Sequence, residues 1–71
     1  MRLAYFRYLT EVMQRHVDLG PNRISYTEAR HSLGLCRIPI AFRGEILTAL
    51  VKNGYLKREN RQCLLIISDC F

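Results

Sequence analysis

The feature that most constrains this chain is the stretch ALVKNGYLKREN, residues 49–60, where an apolar helical pattern stops at Gly54. Glycine readily takes the left-handed conformation that follows the end of a helix. Pro39 suits the first turn of that helix, because its missing N–H needs no partner there. The pattern therefore predicts a helix from Pro39 to Asn53, a reversal at Gly54, and a strand that begins at Tyr55.

The predicted helix has one buried face, and the segment after it is predicted to form strands. The expected buried residues of the helix are Phe42, Ile46, Leu47, Leu50 and Val51. Residues 55–59 and 62–67 have strand-like composition and flank Asn60 and Arg61, which predicts a two-stranded hairpin with a charged tip. The second strand lacks polar alternation. Its outer face is therefore expected to be covered by a neighbouring strand, by Phe71 or by a second subunit.

The N-terminal segment, residues 1–17, is predicted to be a helix. Apolar positions recur at three- and four-residue steps, at Leu3, Phe6, Leu9, Met13, His16 and Val17. Tyr5, Tyr8 and Val12 widen this apolar face beyond what one small core needs. The surplus favours a homodimer through these three residues and Phe71. The alternative is that the tyrosines line the edge of the core with their hydroxyls in water.

The segment between these helices contains a turn and a helix start. Residues 20–22, Gly-Pro-Asn, predict a turn, and residues 23–25 are too short to assign from pattern, although a short strand fits. Ser25 and Glu28 match a capping box, which predicts a helix over about residues 26–33 with Ala29 and Leu33 facing inward. Gly34 then fits the left-handed position just past the end of that helix.

Length and charge indicate one small domain, residues 1–71, with a polyanionic partner. Eleven Lys and Arg residues against six Asp and Glu residues give a net charge of +5. Clustered basic residues attract phosphates, although a basic surface that serves solubility alone is the alternative. No apolar run approaches a membrane span and the N-terminus lacks a signal-peptide pattern, so we expect a soluble, cytoplasmic protein.

The sequence predicts neither an enzyme nor a cofactor or metal site. It contains no nucleophile elbow, glycine-rich phosphate loop or zinc-protease motif. The three cysteines, Cys36, Cys63 and Cys70, form no CxxC pair, and the two histidines complete no zinc spacing. We expect buried thiols, with Cys70 the candidate for an intermolecular disulfide.

The order of helix, extended segment, helix, turn, helix and hairpin predicts an α+β fold and resembles the winged helix-turn-helix domains. The resemblance is carried by SYTEARHSLGL as second helix and turn, IAFRGEILTALVKNGYL as third helix, and KRENRQ as wing tip. It is greatest to small transcription regulators of bacteria, archaea and their viruses. It implies three helices with a helix-turn-helix at residues 25–53 and a C-terminal wing at residues 55–67.

One spacing departs from that family. The distance from Gly34 to Gly54 is about one helical turn longer than is typical of it. Either the turn between the two helices is long, or the third helix carries an extra turn at its N-terminus.

The resemblance implies sequence-specific binding to double-stranded DNA as a homodimeric transcription regulator, with the third helix in the major groove. The implied contacts from the third helix are Arg37, Ala41, Arg43, Glu45 and Thr48. Those from the wing are Lys57, Arg58, Asn60 and Arg61, and those to the DNA backbone are Arg23, Tyr26 and Arg30.

Two alternatives remain open at this point. Arg43 either reaches a phosphate or a guanine edge, or packs its stem on the core and pairs with a carboxylate such as Glu28. The whole domain either binds DNA or is a protein-interaction module, an adaptor or small viral inhibitor that does not bind DNA. Convergence of Arg23, Arg30, Arg37, Arg58 and Arg61 on one face favours DNA, and their scatter favours the interaction module.

Overall fold

The computed structural model describes residues 3–67 of the 71-residue chain. The predicted α+β class is confirmed, with three helices and an antiparallel sheet of three short strands. In chain order the elements are α1 (Leu3–Gln14), β1 (Arg23–Ser25), α2 (Tyr26–Leu35), α3 (Ile40–Lys52), β2 (Leu56–Arg58) and β3 (Cys63–Ile66).

The sheet has one strand more than the predicted hairpin. β3 lies between β1 and β2 and is antiparallel to both, with Leu64 opposite Ile24 on one side and Arg58 on the other. Residues 23–25, left unassigned by the sequence pattern, therefore form the third strand. β2 and β3 are shorter than predicted, and residues 59–62 connect them. The central place of β3 explains its apolar sequence, because β1 and β2 flank it on both edges.

The core lies between the three helices and one face of the sheet. Its fully buried side chains include Leu9 and Met13 of α1, Leu33 of α2, Leu50 of α3, and Leu64 of β3. Burying side chains of this size stabilises a fold by about 1.5–3 kcal/mol each. On such a short chain these few residues supply most of the apolar burial, and they hold α2, α3 and the sheet in fixed positions.

Helix α1 buries the predicted face but ends early. Phe6, Leu9 and Met13 are buried, as expected. The helix stops at Gln14 rather than at residue 17, and the amide of His16 then donates to the Met13 carbonyl at 2.9 Å in a tighter final turn. Thr10 is buried although it is polar, because its hydroxyl donates to the Phe6 carbonyl at 2.8 Å.

The predicted end of α2 at Gly34 is wrong. Gly34 lies inside the helix, and Arg37 takes the left-handed conformation instead, with φ of 65°. The amides of Arg37 and Ile38 donate to the carbonyls of Gly34 and Leu33 at 2.9 and 3.1 Å, which is the Schellman pattern of a helix C-terminus. Helix α2 therefore continues one residue past Gly34, to Leu35, and residues 36–39 form the turn that leads to α3.

Helix α3 begins at Ile40, with Pro39 as the preceding cap residue. Leu47 and Leu50 are buried as predicted, but Phe42 is 53% exposed, which corrects its assignment to the core. Phe42 lies in the first turn of α3, where Ile40 and Ala41 are also exposed. The predicted reversal at Gly54 is confirmed, since its φ is 82°.

The longest helix within residues 3–67 is α3, with 13 residues, whereas a membrane-spanning helix needs about 20. None of the helices within residues 3–67 is long and apolar enough to cross a membrane.

Candidate nucleic-acid interface

A cavity of about 510 Å³ opens between α2, α3 and β2, and it is called the main groove below. Its lining consists of Tyr26, Arg30, Gly44, Glu45, Leu47, Thr48 and Arg58. All of these except Gly44 and Leu47 are residues for which the sequence predicted contacts with DNA. The fold therefore brings together side chains that are up to 32 positions apart in the chain, between Tyr26 and Arg58.

Tyr26 and Arg30 enter the groove because of the way α2 begins. Ser25 caps the helix, since its hydroxyl oxygen accepts from the Glu28 amide at 3.1 Å, which confirms that half of the capping box. The Ser25 amide, which the sequence assigned to Glu28, instead donates to the Asp18 carboxylate at 2.7 Å. Tyr26 is the first helical residue, and Arg30 follows one turn later on the same side of the helix.

Asp18 anchors this helix start. The hydroxyl of Ser25 also donates to Asp18, at 2.7 Å, so the carboxylate accepts two hydrogen bonds from one residue. These bonds hold the pKa of Asp18 below its ordinary value of 3.8. The loop before α2 is thereby tied to the residue that precedes Tyr26.

Arg58 reaches the groove from the sheet. Successive side chains of a strand point to opposite faces, so Arg58 shares the face of Leu56, which is buried against the core. Arg58 extends past the edge of that core, and its Nη2 donates to Thr48 Oγ1 of α3 at 3.4 Å. Thr48 Oγ1 in turn donates to the Gly44 carbonyl at 3.1 Å. A cation from β2 is thus held over the exposed side of α3.

The other predicted wing residues, Lys57, Asn60 and Arg61, do not line the main groove. Lys57 is exposed on the opposite face of the sheet from Arg58, beside Leu65. Asn60 stabilises the connection between β2 and β3, because its Oδ1 accepts from the amides of Gln62 and Cys63 at 2.8 and 2.9 Å. Arg61 lines a second cavity of about 340 Å³, together with Leu19, Ser25, Tyr26, Thr27 and Gln62. Tyr26 lines both cavities, so Arg61 lies on the next part of the same surface.

Arg23 lies apart from both cavities. It belongs to β1, on the far side of β3 from β2, and its Nε lies 3.2 Å from a carboxylate oxygen of Glu59. Arg23 is exposed and precedes Tyr26 by three residues, but it lines neither cavity, whereas Tyr26 and Arg30 both line the main groove. Of the five arginines whose convergence on one face favours DNA, Arg30 and Arg58 line the main groove, Arg61 lines the second cavity, and Arg23 and Arg37 line neither, so the convergence is partial.

The residues around the start of α3 divide into outward and inward positions. Ala41 is exposed, as is Arg37, which lies in the turn before α3 rather than on the helix. Arg43 is half-buried, and its Nε donates to the Ile38 carbonyl at 2.9 Å. Its guanidinium packs against Gly34, where an added Cβ would lie 2.9 Å from Nη2. Arg43 therefore braces the turn between α2 and α3, and within residues 3–67 it forms no ion pair with Glu28.

The main groove has an excess of positive charge. Within residues 3–67 the ion pairs are Arg7 with Glu11 and Arg23 with Glu59. Arg30, Arg58 and Arg61 have no carboxylate partner in that part of the chain, and Glu45 is the one acidic residue lining the groove. Unpaired guanidinium groups around a concave surface are suited to phosphate oxygens, which accept hydrogen bonds from them.

Three of the four predicted dimer residues, Tyr5, Tyr8 and Val12, lie on α1. Tyr8 is 50% exposed and stacks on Tyr5, with ring centroids 6.3 Å apart. Tyr5 and Val12 are half-buried, and Phe71 lies outside the described residues. The pKa of Tyr8 is raised above its ordinary value of 10.0, chiefly by electrostatic interaction and a hydrogen bond with the neighbouring Cys36 side chain.

Among the described residues, no group of three or more His, Cys, Asp or Glu side chains is placed to hold a metal ion. Cys36 is half-buried and Cys63 is buried, and both are free thiols. Cys70, the predicted site of an intermolecular disulfide, lies outside the described residues.

No protein-family model, no curated protein and no solved structure matches this chain. The site is therefore defined by its own geometry. Sequence reasoning missed Gly44 and Leu47 of the groove lining. The available signal was Gly44 itself, a glycine in the middle of a helical pattern.

Proposed function

We propose that this protein binds double-stranded DNA in a sequence-specific manner and regulates transcription, using a winged helix-turn-helix. The observation that carries the proposal is the main groove, in which Arg30 of α2 and Arg58 of β2 flank the exposed side of α3. A helix bordered on two sides by arginines that have no carboxylate partner within residues 3–67 is suited to DNA, because the helix fits the major groove while the arginines neutralise phosphates.

The order of elements supports this class of fold. Helices α2 and α3 follow each other across a short turn, as the two helices of a helix-turn-helix do. β2 and β3 are antiparallel neighbours that follow α3 in the chain, an order compatible with a wing, and β1 pairs with the other edge of β3. In this interpretation α3 is the recognition helix and residues 59–62 are the tip of the wing.

The site residues then divide into base contacts and backbone contacts. Ala41, Glu45 and Thr48 are exposed on α3 and face base edges, where Glu45 accepts from the N4 amino group of cytosine. Tyr26, Arg30, Arg58 and Arg61 bind the sugar–phosphate backbone, and the wing also reaches the minor groove.

Arg37 adds a specific observation in favour of this division. It holds a left-handed conformation, φ of 65°, in a position where glycine is usual. For a residue with a side chain this conformation costs roughly 1–2 kcal/mol. An exposed arginine kept at such a position is explained by a use for its side chain, and a phosphate beside the start of α3 provides that use.

The protein acts as a homodimer that contacts two half-sites. The stacked pair of Tyr5 and Tyr8, with Tyr8 half exposed, supports a contact through α1 together with Val12. Sedimentation equilibrium tests this directly, at tens of micromolar protein. A mass twice that of the chain is expected, and the mass of one chain contradicts the dimer.

The salt dependence of binding to random duplex DNA tests the proposal. Fluorescence anisotropy compares the wild type with Arg58→Ala/Arg61→Ala, and with Arg7→Ala/Arg15→Ala on α1 as a control that removes the same charge. The slope of log K against log salt should fall by about two units for the wing variant and stay unchanged for the control. Absence of binding at low salt, or an equal loss in both variants, contradicts the proposal.

A second candidate function is supported by exposed apolar residues around the turn between α2 and α3. Leu35, Ile40 and Phe42 are 56%, 78% and 53% exposed. An apolar cluster of this kind suits a protein partner. In that case the domain is an interaction module, and the anisotropy experiment distinguishes the two, because the module does not bind duplex DNA even at low salt.

A further inference from the structure

Gly44 lies in the middle of α3, on the exposed side that lines the main groove. A glycine inside a helix is unfavourable relative to alanine, because it loses more backbone freedom on folding. Glycine is therefore expected there only where its conformation or its lack of a side chain serves a purpose. The chain contains four glycines, Gly20, Gly34, Gly44 and Gly54.

Three of the four have a reason inside the molecule. Gly20 and Gly54 have φ of 131° and 82°, which residues with a Cβ rarely adopt. Gly34 is packed against the Arg43 guanidinium, since an added Cβ would lie 2.9 Å from Arg43 Nη2. These three positions are explained by backbone conformation or by internal packing.

Neither backbone conformation nor internal packing accounts for Gly44. It has helical backbone geometry and is not among the glycines with positive φ. A Cβ built at Gly44 meets no atom of residues 3–67 within 4 Å, apart from the adjoining backbone of its own helix. The space in front of the residue is open, and it belongs to the groove that Arg30 and Arg58 also line. Within residues 3–67, neither backbone conformation nor internal packing explains the lack of a side chain at Gly44.

We propose that Gly44 is the point of closest approach between α3 and the DNA backbone, so that a phosphate held by Arg30 and Arg58 lies against the bare helix surface at this residue. This inference rests on the proposed DNA binding and adds a residue that determines how deeply the duplex is seated. Arg58 supports it, because its bond to Thr48 Oγ1 places a cation one helical turn from Gly44. Glu45 lines the same groove, and the two arginines outnumber it.

The test uses Gly44→Ala and Gly44→Leu in the full chain, with binding to random duplexes measured by anisotropy. Ala4→Leu is the matched control, because Ala4 is exposed on α1, which lines neither of the two cavities. Gly44→Ala should raise Tm by about 2–8 °C, since alanine is the better helix former. Random duplexes are suitable because a backbone contact weakens binding alike across sequences.

The two Gly44 variants should bind more weakly in order of size. Gly44→Leu is expected to lose roughly 10-fold or more in affinity, Gly44→Ala less, and Ala4→Leu nothing. If Gly44→Leu binds like the wild type while Arg58→Ala/Arg61→Ala is weakened, the inference is overturned and the proposed function stands. If Gly44→Ala lowers Tm, the glycine has an internal role and the inference is also overturned. If the wild type binds no duplex, both fail together.

Discussion

At the scale of single residues, the start of α2 is held by a short chain of hydrogen bonds. Asp18 accepts from the amide and hydroxyl of Ser25, and Ser25 Oγ accepts from the Glu28 amide. This arrangement fixes Tyr26, which lines both cavities of the candidate interface. The position of this candidate interface thus depends on an acidic residue that lines neither of its cavities.

Removal of the Asp18 charge should change how stability depends on pH. The two bonds from Ser25 hold the pKa of Asp18 below its ordinary value of 3.8. A carboxylate whose pKa is lowered by folding stabilises the native state above its unfolded pKa, and this contribution is lost as pH falls through the folded pKa. We expect Asp18→Asn to be less stable than the wild type at pH 5–7, and the two proteins to approach each other below about pH 3.8.

Urea unfolding of both proteins from pH 7 to pH 2 measures this difference. The remaining carboxylates titrate in both proteins and cancel in the comparison. A constant difference across that range would show that the charge of Asp18 contributes nothing.

The capping residues also show what a sequence pattern can supply at this scale. Ser25 and Glu28 were recognisable as a cap because the contact between them is local. The contribution of Asp18 was not recognisable in the sequence, because its contact with Ser25 depends on how the loop of residues 18–23 folds. Gly44 is recognisable in the sequence as a glycine inside a helical pattern, but only the structure shows that it lines a groove together with Arg58.

At the scale of elements, the turn between α2 and α3 is braced by Arg43. Its Nε donates to the Ile38 carbonyl at 2.9 Å, and its guanidinium packs on Gly34 of α2. The side chain therefore joins the end of one helix to the beginning of the next. This contact sets the angle at which α3 leaves the turn, and so the orientation of the proposed recognition helix.

Replacement of Arg43 should lower stability more than it lowers DNA binding. Arg43→Met keeps most of the apolar stem but loses the bond to Ile38, and hydrogen bonds of charged groups contribute about 1.5–3 kcal/mol. We expect a loss of about 1–2 kcal/mol in the free energy of unfolding, since the group is only half-buried. Urea denaturation measures it.

Arg37→Met is the control for this variant, because Arg37 lies in the same turn with an exposed side chain. Its stability should change by no more than about 0.5 kcal/mol. If Arg43→Met retains full stability and loses DNA binding, the guanidinium contacts DNA instead, as the family resemblance implies.

The boundaries of the elements were predictable where a specific residue type marks them. Gly54 marked the end of α3 correctly, because glycine takes the left-handed position at low cost. The end of α2 was misplaced, because Arg37 holds the equivalent position there and Gly34 gave a false signal inside the helix. β1 was left open, because its three residues become a strand only by pairing with β3.

At the scale of the whole molecule, basic side chains from distant parts of the chain meet around α3. Arg30 and Arg58 line one groove, and Arg61 lines the adjacent cavity, with Tyr26 common to both. The net charge of +5 predicted a polyanionic partner, but not the face that would bind it. Arg23 shows why, because its place on the far side of β3 pairs it with Glu59, a contact that only the strand order reveals.

The most direct test is to observe which backbone amides respond when duplex DNA is added to the labelled protein. A titration followed by ¹H–¹⁵N correlation spectra reports each amide separately, and it needs no variant. Binding through the main groove should shift the amides of residues 26–30, 44–48 and 58–61 most, in proportion to bound DNA. Shifts concentrated on α1 or on residues 35–42, with those three segments unchanged, would contradict a DNA-binding surface formed by α2, α3 and β2.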